Sequence, residues 1–135
     1  MTYDTIKFQI EAGVATLTLN RPERLNAFSD AMHVDIRAAL DRMDRDGGVR
    51  CLVVTGAGRG FCAGADLSQP TLSNSGTRDV GETLDKNYNP LVKRLRDLPM
   101  PTIAAVNGPA AGAGMSLAMA CDILIAARSA SFLQA

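Results

Sequence analysis

The amino-acid sequence predicts an α/β fold with a mainly parallel sheet. Three short apolar runs, at residues 51–55, 102–106 and 122–126, carry this prediction, because uninterrupted aliphatic runs are typical of strands that are buried on both faces. Segments with helical character alternate with these runs. This alternation favours parallel pairing, since two parallel strands need a long crossover connection between them.

The N-terminal part of the sequence predicts a β-hairpin and a first helix. Residues 7–10 and 14–19 alternate between apolar and polar side chains, and the segment between them, which contains Gly13, is expected to form the turn. Ser29 or Asp30 is suited to cap the helix that follows. The apolar positions of this helix recur every three or four residues, as one buried face requires: Met32, Ile36, Leu40 and Met43.

The later part of the sequence predicts one long loop and two more helices. Residues 68–81 are rich in serine, threonine and glycine and predict an exposed, mobile loop. Residues 88–98 have the apolar spacing of a second helix, which the prolines that follow would end. A third helix of small residues is predicted near 114–120, before the last apolar run.

Composition excludes several classes of protein. The 135 residues are the size of one domain, and the 14 basic and 14 acidic residues cancel, which argues against nucleic acid or an anionic membrane as a partner. No apolar run approaches the roughly 18 residues of a membrane span, and no leader sequence is visible, so we expect a cytoplasmic protein. Three unpaired cysteines and a single histidine, His33, argue against a metal site. His33 itself is expected on a solvated face of the first helix.

Two glycine-rich segments, at residues 56–67 and 107–117, directly follow the first two apolar runs. Parallel sheets bind ligands at the carboxyl ends of their strands. Neither segment has the lysine of a phosphate-binding P-loop or the glycine spacing of a dinucleotide site. Tight turns and close packing would explain either segment alone. The occurrence of two such segments after successive strands favours a different explanation. In it, the backbone N–H groups of Ala65 and Ala113 stabilise a carbonyl oxygen as it becomes an oxyanion.

Three segments of the chain resemble the crotonase family, also called the enoyl-CoA hydratase/isomerase family. They are Asn-Arg-Pro-Glu-Arg-Leu-Asn-Ala-Phe at 20–28, Gly-Phe-Cys-Ala-Gly-Ala-Asp-Leu at 60–67, and Ala-Val-Asn-Gly-Pro-Ala-Ala-Gly-Ala-Gly at 105–114. The resemblance implies a spiral of ββα units, of which residues 1–135 would be the N-terminal part of one domain, truncated before the last units and the C-terminal helices. It also implies an acyl-CoA thioester substrate, no separate cofactor, and a homotrimer or hexamer at full length.

The same resemblance implies roles for individual residues. The thioester oxygen is expected to bind the N–H groups of Ala65 and Ala113. The resemblance also implies that a larger set of residues contacts the substrate and its coenzyme A: Arg24, Leu25, Ala63, Asp66, Leu67 and Gly112. Arg24 is expected to meet a CoA phosphate, with a solvated loop charge as the alternative. Asp66 is assigned no proton transfer, and it could orient its loop or cap a helix instead.

Ser116 separates the possible reactions. Hydratases that this chain resembles have a glutamate at this position, and a serine cannot activate water as a carboxylate does. The surrounding residues are most similar to the phenylacetate-pathway isomerase branch, whose single carboxylate lies beyond the segment that matches 131–135. The sequence therefore predicts an acyl-CoA isomerase, acting on a double bond or a ring-opened epoxide, with its general base missing from this chain, which alone would be inactive. An enoyl-CoA hydratase of unusual pattern and a non-catalytic CoA-thioester-binding or assembly fragment remain alternatives.

Overall fold

The computed structural model describes residues 2–66 and 88–134. The strands within these ranges are β1 (Ile6–Glu11), β2 (Val14–Leu19), β3 (Cys51–Gly56), β4 (Thr102–Val106), β5 (Pro109–Ala111), β6 (Ile123–Ala126) and β7 (Ser131–Leu133). The helices are α1 (Asp30–Asp46), α2 (Asn89–Asp97) and α3 (Ala113–Met119), and Pro22–Arg24 forms a 3₁₀ turn. The loop predicted at 68–81 lies outside the described residues.

Five strands form one large sheet in the order β1-β2-β3-β4-β6. β1 and β2 pair antiparallel, which confirms the predicted hairpin. The other neighbours pair in parallel, with Leu19 opposite Gly56 and Thr55 opposite Ala105. The predicted α/β fold with a mainly parallel sheet is therefore confirmed. Because β3 and β4 run in the same direction, the glycine-rich loops that follow them leave from the same edge of the sheet.

A second, small sheet follows the large one along the chain. β5 and β7 pair in parallel, and two isolated bridges, Phe28 with Ala65 and Cys62 with Ala110, extend the same stacking. Each turn of the chain thus adds one strand to the large sheet and one short piece to this second layer, which is the geometry of a spiral. The sequence did not predict β5 or β7, because three residues are too few to show a strand period.

Helix α1 closes one face of the large sheet. The Ser29 hydroxyl accepts a hydrogen bond from the Met32 N–H at 3.2 Å, so Ser29, one of the two predicted candidates, is the N-cap. Gly47 ends the helix in the left-handed conformation at φ +74. All four predicted core positions are buried: Met32, Ile36, Leu40 and Met43. Burying each such side chain contributes about 1.5–3 kcal/mol, so the apolar stripe of α1 is what holds this helix on the sheet.

Two sequence predictions about burial are wrong. His33 does not lie on a solvated face: it is 4% exposed and stacks on Phe28, with ring centroids 4.8 Å apart. The third apolar run is not buried either, since all four residues of β6 are exposed. In the described part of the chain β6 is the last strand of the large sheet and has one neighbour, β4, so an apolar sequence there does not bring burial.

Candidate active site

Two buried or half-buried amide side chains hold the turn that opens the first glycine-rich loop. The Asn26 Nδ2 donates to the carbonyl oxygens of Ala57 and Gly60, both at 2.9 Å. The Asn107 Nδ2 donates to the carbonyls of Gly58 and Gly60, both at 3.1 Å, while its Oδ1 accepts from the Gly56 N–H. Because Asn26 precedes the loop and Asn107 lies in the second one, the Gly60 carbonyl fixes three segments to one another.

The Ala65 N–H is oriented by the bridge to Phe28. The Phe28 N–H donates to the Gly64 carbonyl at 2.7 Å, and the Asp66 N–H donates to the Phe28 carbonyl at 2.8 Å. The Gly64 carbonyl and the Ala65 N–H belong to one planar trans peptide and so point in opposite directions. The Ala65 N–H therefore points away from Phe28. It has no hydrogen-bond acceptor among residues 2–66 and 88–134.

The Ala113 N–H is oriented by the start of α3. The Gly112 carbonyl, in the same peptide group, accepts from the Ser116 N–H at 3.1 Å, and the Ser116 hydroxyl lies 3.4 Å from it. The first N–H groups of a helix have no partner within that helix. Within the described ranges, no other acceptor meets the Ala113 N–H either.

The two loops pack directly against each other. A Cβ atom on Gly64 would lie 3.6 Å from the Ala113 nitrogen and 3.0 Å from the Ala111 carbonyl oxygen. A Cβ atom on Gly114 would collide with the Cys62 carbonyl. Residues 64–65 and 113 are therefore neighbours, as two donors to one oxygen would have to be, while their role as an oxyanion hole stays a prediction. The packing explanation of the glycines is also correct, because close packing is what brings the loops together.

An ion pair that the sequence did not reveal lies behind Ala65. Arg21 Nη2 lies 2.9 Å from an Asp66 carboxylate oxygen, and Arg21 Nη1 donates to the Ala27 carbonyl at 2.6 Å. The Asp66 side chain is 6% exposed and that of Arg21 is 15% exposed. The ion pair connects the Asp66 side chain to the segment before the loop, which favours the loop-orienting role among those predicted for Asp66. A contact between Asp66 and CoA stays a prediction.

The other predicted binding residues lie at the outer side of the first loop. Arg24 is exposed, and the half-buried Leu25 accepts a hydrogen bond at its carbonyl from the Ala63 N–H at 3.0 Å. Ala63 is itself exposed, so these three residues share one surface beside Ala65. Gly112 is half-buried, and its N–H donates to the Leu133 carbonyl at 2.9 Å. Leu67 lies outside the described residues.

Two buried ionisable side chains near the loops are neutral at pH 7. Burial, and then the charge of Arg37, lowers the pKa of His33 to about 4, against a smaller opposing effect of Asp30. Burial raises the pKa of the Cys62 thiol to about 12. Neither His33 as an imidazolium nor Cys62 as a thiolate is therefore available at neutral pH. The chemistry that the arrangement offers is stabilisation of negative charge by backbone donors.

Two further features bear on ligands and membranes. Among residues 2–66 and 88–134, no group of three or more histidine, cysteine, aspartate or glutamate residues is arranged to hold a metal ion. In the same part of the chain, no helix has both the length and the apolar character needed to cross a membrane.

The spiral of two sheets, with adjacent backbone donors on loops that leave one edge, defines a crotonase-like α/β fold. The family model for enoyl-CoA hydratase/isomerase matches residues 9–135. The chain belongs to the enoyl-CoA hydratase/isomerase family.

Individual relatives agree with this assignment. A 1,2-epoxyphenylacetyl-CoA isomerase of Escherichia coli K12 is 56% identical over 93% of this chain and 48% of its own length. A probable enoyl-CoA hydratase of Rhodobacter capsulatus is 45% identical over 100% of this chain and 51% of its own. The crystal structure of an enoyl-CoA hydratase/isomerase from Xanthobacter autotrophicus Py2 superposes with a TM-score of 0.85 at 39% identity, covering 98% of this chain and 49% of that one. The chain thus spans about half the length of the relatives it matches.

Proposed function

We propose that this chain forms the thioester-binding part of an acyl-CoA isomerase, with the Ala65 and Ala113 N–H groups as its oxyanion hole. One observation carries the proposal. Two backbone N–H groups on packed loops lack an acceptor in the described part of the chain, and each belongs to a peptide group whose carbonyl is already hydrogen-bonded. Such donors are fixed before a ligand arrives and need little reorganisation when charge develops on a carbonyl oxygen.

The proposed chemistry is the migration of a double bond or the isomerisation of a ring-opened epoxide in an acyl-CoA. For double-bond migration, a base removes a proton from the acyl chain and the electron pair moves toward the thioester carbonyl. The electron pair then moves back as the proton is returned at another carbon, so that the double bond changes place. The negative charge of the resulting enolate rests on the oxygen that the two N–H groups bind. We assign the base to none of the described residues. The 56% identity to the 1,2-epoxyphenylacetyl-CoA isomerase of E. coli supports isomerisation over hydration.

The surface beside Ala65 is proposed to bind coenzyme A. Arg24 supplies an exposed positive charge for a phosphate, and Leu25 and Ala63 form the neighbouring wall. Asp66, Leu67 and Gly112 complete the proposed binding set. Beyond the CoA of the substrate, the proposed reaction needs no cofactor. A homotrimer or hexamer at full length, a cytoplasmic location and the assignment of residues 1–135 to the N-terminal part of a larger domain remain predictions.

Hydration of an enoyl-CoA is the second candidate. The relative from R. capsulatus is named a probable enoyl-CoA hydratase, which favours it. Ser116 argues against it, because its exposed hydroxyl lies near the Gly112 carbonyl and offers no carboxylate for activating water. The third possibility is a non-catalytic CoA-thioester-binding or assembly fragment, which binds the thioester in the same way but is supplied with no base.

The test is the infrared spectrum of a bound thioester whose carbonyl carbon is ¹³C. Phenylacetyl-CoA, which has no double bond to move, is added to the 135-residue chain, and we expect its carbonyl stretch to move to lower wavenumber. Ala113→Pro removes one donor at the first helical position, where proline is well tolerated, and should abolish most of the shift. Ala113→Ser keeps the N–H and should retain the shift. An unshifted carbonyl in the unchanged, ligand-bound chain would refute the oxyanion hole.

A turnover assay separates the catalytic alternatives. The 135-residue chain is incubated with an enoyl-CoA. We expect it to bind the thioester without isomerising or hydrating it, because no described residue is assigned as the general base. Product formation, followed by chromatography of the CoA esters, would show that the base lies within this chain. An isomeric enoyl-CoA as product would then indicate an isomerase, and a hydroxyacyl-CoA would indicate a hydratase.

A further inference from the structure

The Arg21 guanidinium links the two segments that meet at the Phe28–Ala65 bridge. Its Nη1 donates to the carbonyl of Ala27, the residue before Phe28, and its Nη2 donates to the carboxylate of Asp66, the residue after Ala65. The two bonds measure 2.6 and 2.9 Å. A single planar side chain therefore contacts both sides of the backbone bridge that orients the Ala65 peptide.

This arrangement resists sliding of one segment past the other. The two guanidinium N–H groups have a fixed spacing, so a shift of the Ala65 segment relative to Phe28 would break one of the bonds. Bonds between ionised groups are shorter and stronger than neutral ones, and the low exposure of both side chains limits screening by solvent. A lysine, with a single ammonium on a flexible stem, could reach either partner but would not lock the spacing between them.

We propose that Arg21 and Asp66 are positioning residues for the Ala65 N–H, acting through the bridge to Phe28. The inference rests on the proposed function, in which the Ala65 N–H binds the thioester oxygen. It gives Asp66 a role in aiming a donor, in addition to the CoA contact proposed above. It also separates the two arginines of the Asn-Arg-Pro-Glu-Arg segment: Arg21 orients the donor, and the exposed Arg24 faces the ligand.

A purely structural ion pair makes a different prediction. If Arg21 and Asp66 only stabilised the fold, a variant would lower the melting temperature, but every folded, ligand-bound molecule would polarise the carbonyl normally. A positioning role instead changes the geometry of the hole in the folded protein. The carbonyl stretch of bound thioester reports that geometry directly and does not depend on how many molecules are folded.

The experiment compares Arg21→Lys and Asp66→Asn with the unchanged 135-residue chain, using ¹³C-carbonyl phenylacetyl-CoA as the probe. Asp66→Asn preserves the shape of the side chain and carries the test if Arg21→Lys does not fold. Arg94→Lys is the matched control, because Arg94 also contacts two acidic partners, Asp41 and Asp44, but belongs to α2 and lies outside both loops. Circular dichroism and melting temperature check the folding of each variant.

We expect both site variants to lose most of the carbonyl shift while Arg94→Lys keeps all of it. A full shift in folded Arg21→Lys and Asp66→Asn would overturn the positioning role and leave the oxyanion hole intact. No shift in the unchanged chain would overturn the proposed function, and this inference with it. Failure of both site variants to fold would show that the pair maintains the fold, which also overturns the positioning role.

Discussion

The two glycine-rich loops present the same chemical group by different means. In the first loop, side chains from other segments hold the backbone: Asn26, Asn107 and Arg21 all donate to carbonyls or a carboxylate around it. The second loop is held by close packing, because Gly108 and Gly114 have no side chain and let the backbone lie directly on the first loop. The first loop should therefore be sensitive to removing polar groups, and the second to adding a methyl group.

Adding a Cβ to the second loop should have the largest effect. In Gly114→Ala the new methyl group meets the Cys62 carbonyl, and backbone on both sides must move. Overpacking of this kind costs about 1–3 kcal/mol where side chains can adjust, so we expect a loss of at least about 3 kcal/mol here. Urea denaturation measures the free energy of unfolding. Gly48→Ala is the control, because only the flexible end of Asp46 is near its Cβ position, and an equal loss there would contradict the packing explanation.

Acid should destabilise the packing beside the first loop, where His33 stacks on Phe28. The pKa of His33 is lowered from 6.5 to about 4 in the folded chain, so the unfolded chain takes up a proton at a higher pH than the folded one. Stability is complete above about pH 6.5 and falls toward pH 4, by about 3 kcal/mol in total. Denaturation at several pH values measures the slope. His33→Phe should flatten this part of the profile, and an unchanged slope in that variant would assign the effect to other groups.

Removing one of the amides that hold the first loop should cost less free energy of unfolding than either change. Asn26→Ala leaves the Ala57 carbonyl and the Arg21 N–H without their side-chain partner, while Asn107 still donates to the Gly60 carbonyl. We expect a loss of about 2 kcal/mol in the free energy of unfolding. Asn20→Ala is a matched control, since the Asn20 backbone N–H keeps its bond to the Thr5 carbonyl. A loss no larger than that of the control would contradict the role given to Asn26.

The smallest effect is expected outside both loops. Arg94 on α2 contacts Asp41 and Asp44 on α1, each at 2.8 Å, but both acidic side chains are more than half exposed. Exposed pairs of this kind contribute about 0–1 kcal/mol, and Arg94→Ala should lose no more than that. A larger loss in urea denaturation would show that the link between α1 and α2 matters as much as the loops do.

The sequence predicted the elements that depend on local pattern. The hairpin, the Ser29 cap, α1 and the parallel strands all follow from periodicity, capping chemistry and turn residues, which act over a few neighbouring positions. The same kind of pattern, a run of small residues after a strand, led to the prediction of Ala65 and Ala113 as donors, which stays a prediction. The adjacency of the two loops followed from parallel strands ending at one edge.

The errors and omissions concern contacts between distant segments. Burial of His33 depends on Phe28 and Tyr88, whose rings it meets at 4.8 Å each, and the spacing of α1 does not contain that information. Nothing in the Asn-Arg-Pro-Glu-Arg segment distinguishes the half-buried Arg21 from the exposed Arg24, because the distinction depends on Asp66, 45 positions later. The one available signal for that pair was an acidic residue, Asp66, directly after a predicted donor.

The bond between the Gly112 N–H and the Leu133 carbonyl links the order of synthesis to the order of assembly. The bridge at Ala65 needs only residues up to 66, whereas Gly112 gains its partner only when β7 has formed. On a ribosome, the backbone around Ala113 would therefore reach its final set of bonds only after Leu133 has emerged. Hydrogen exchange of the Gly112 amide in nascent or shortened chains would follow this late step at a single atom.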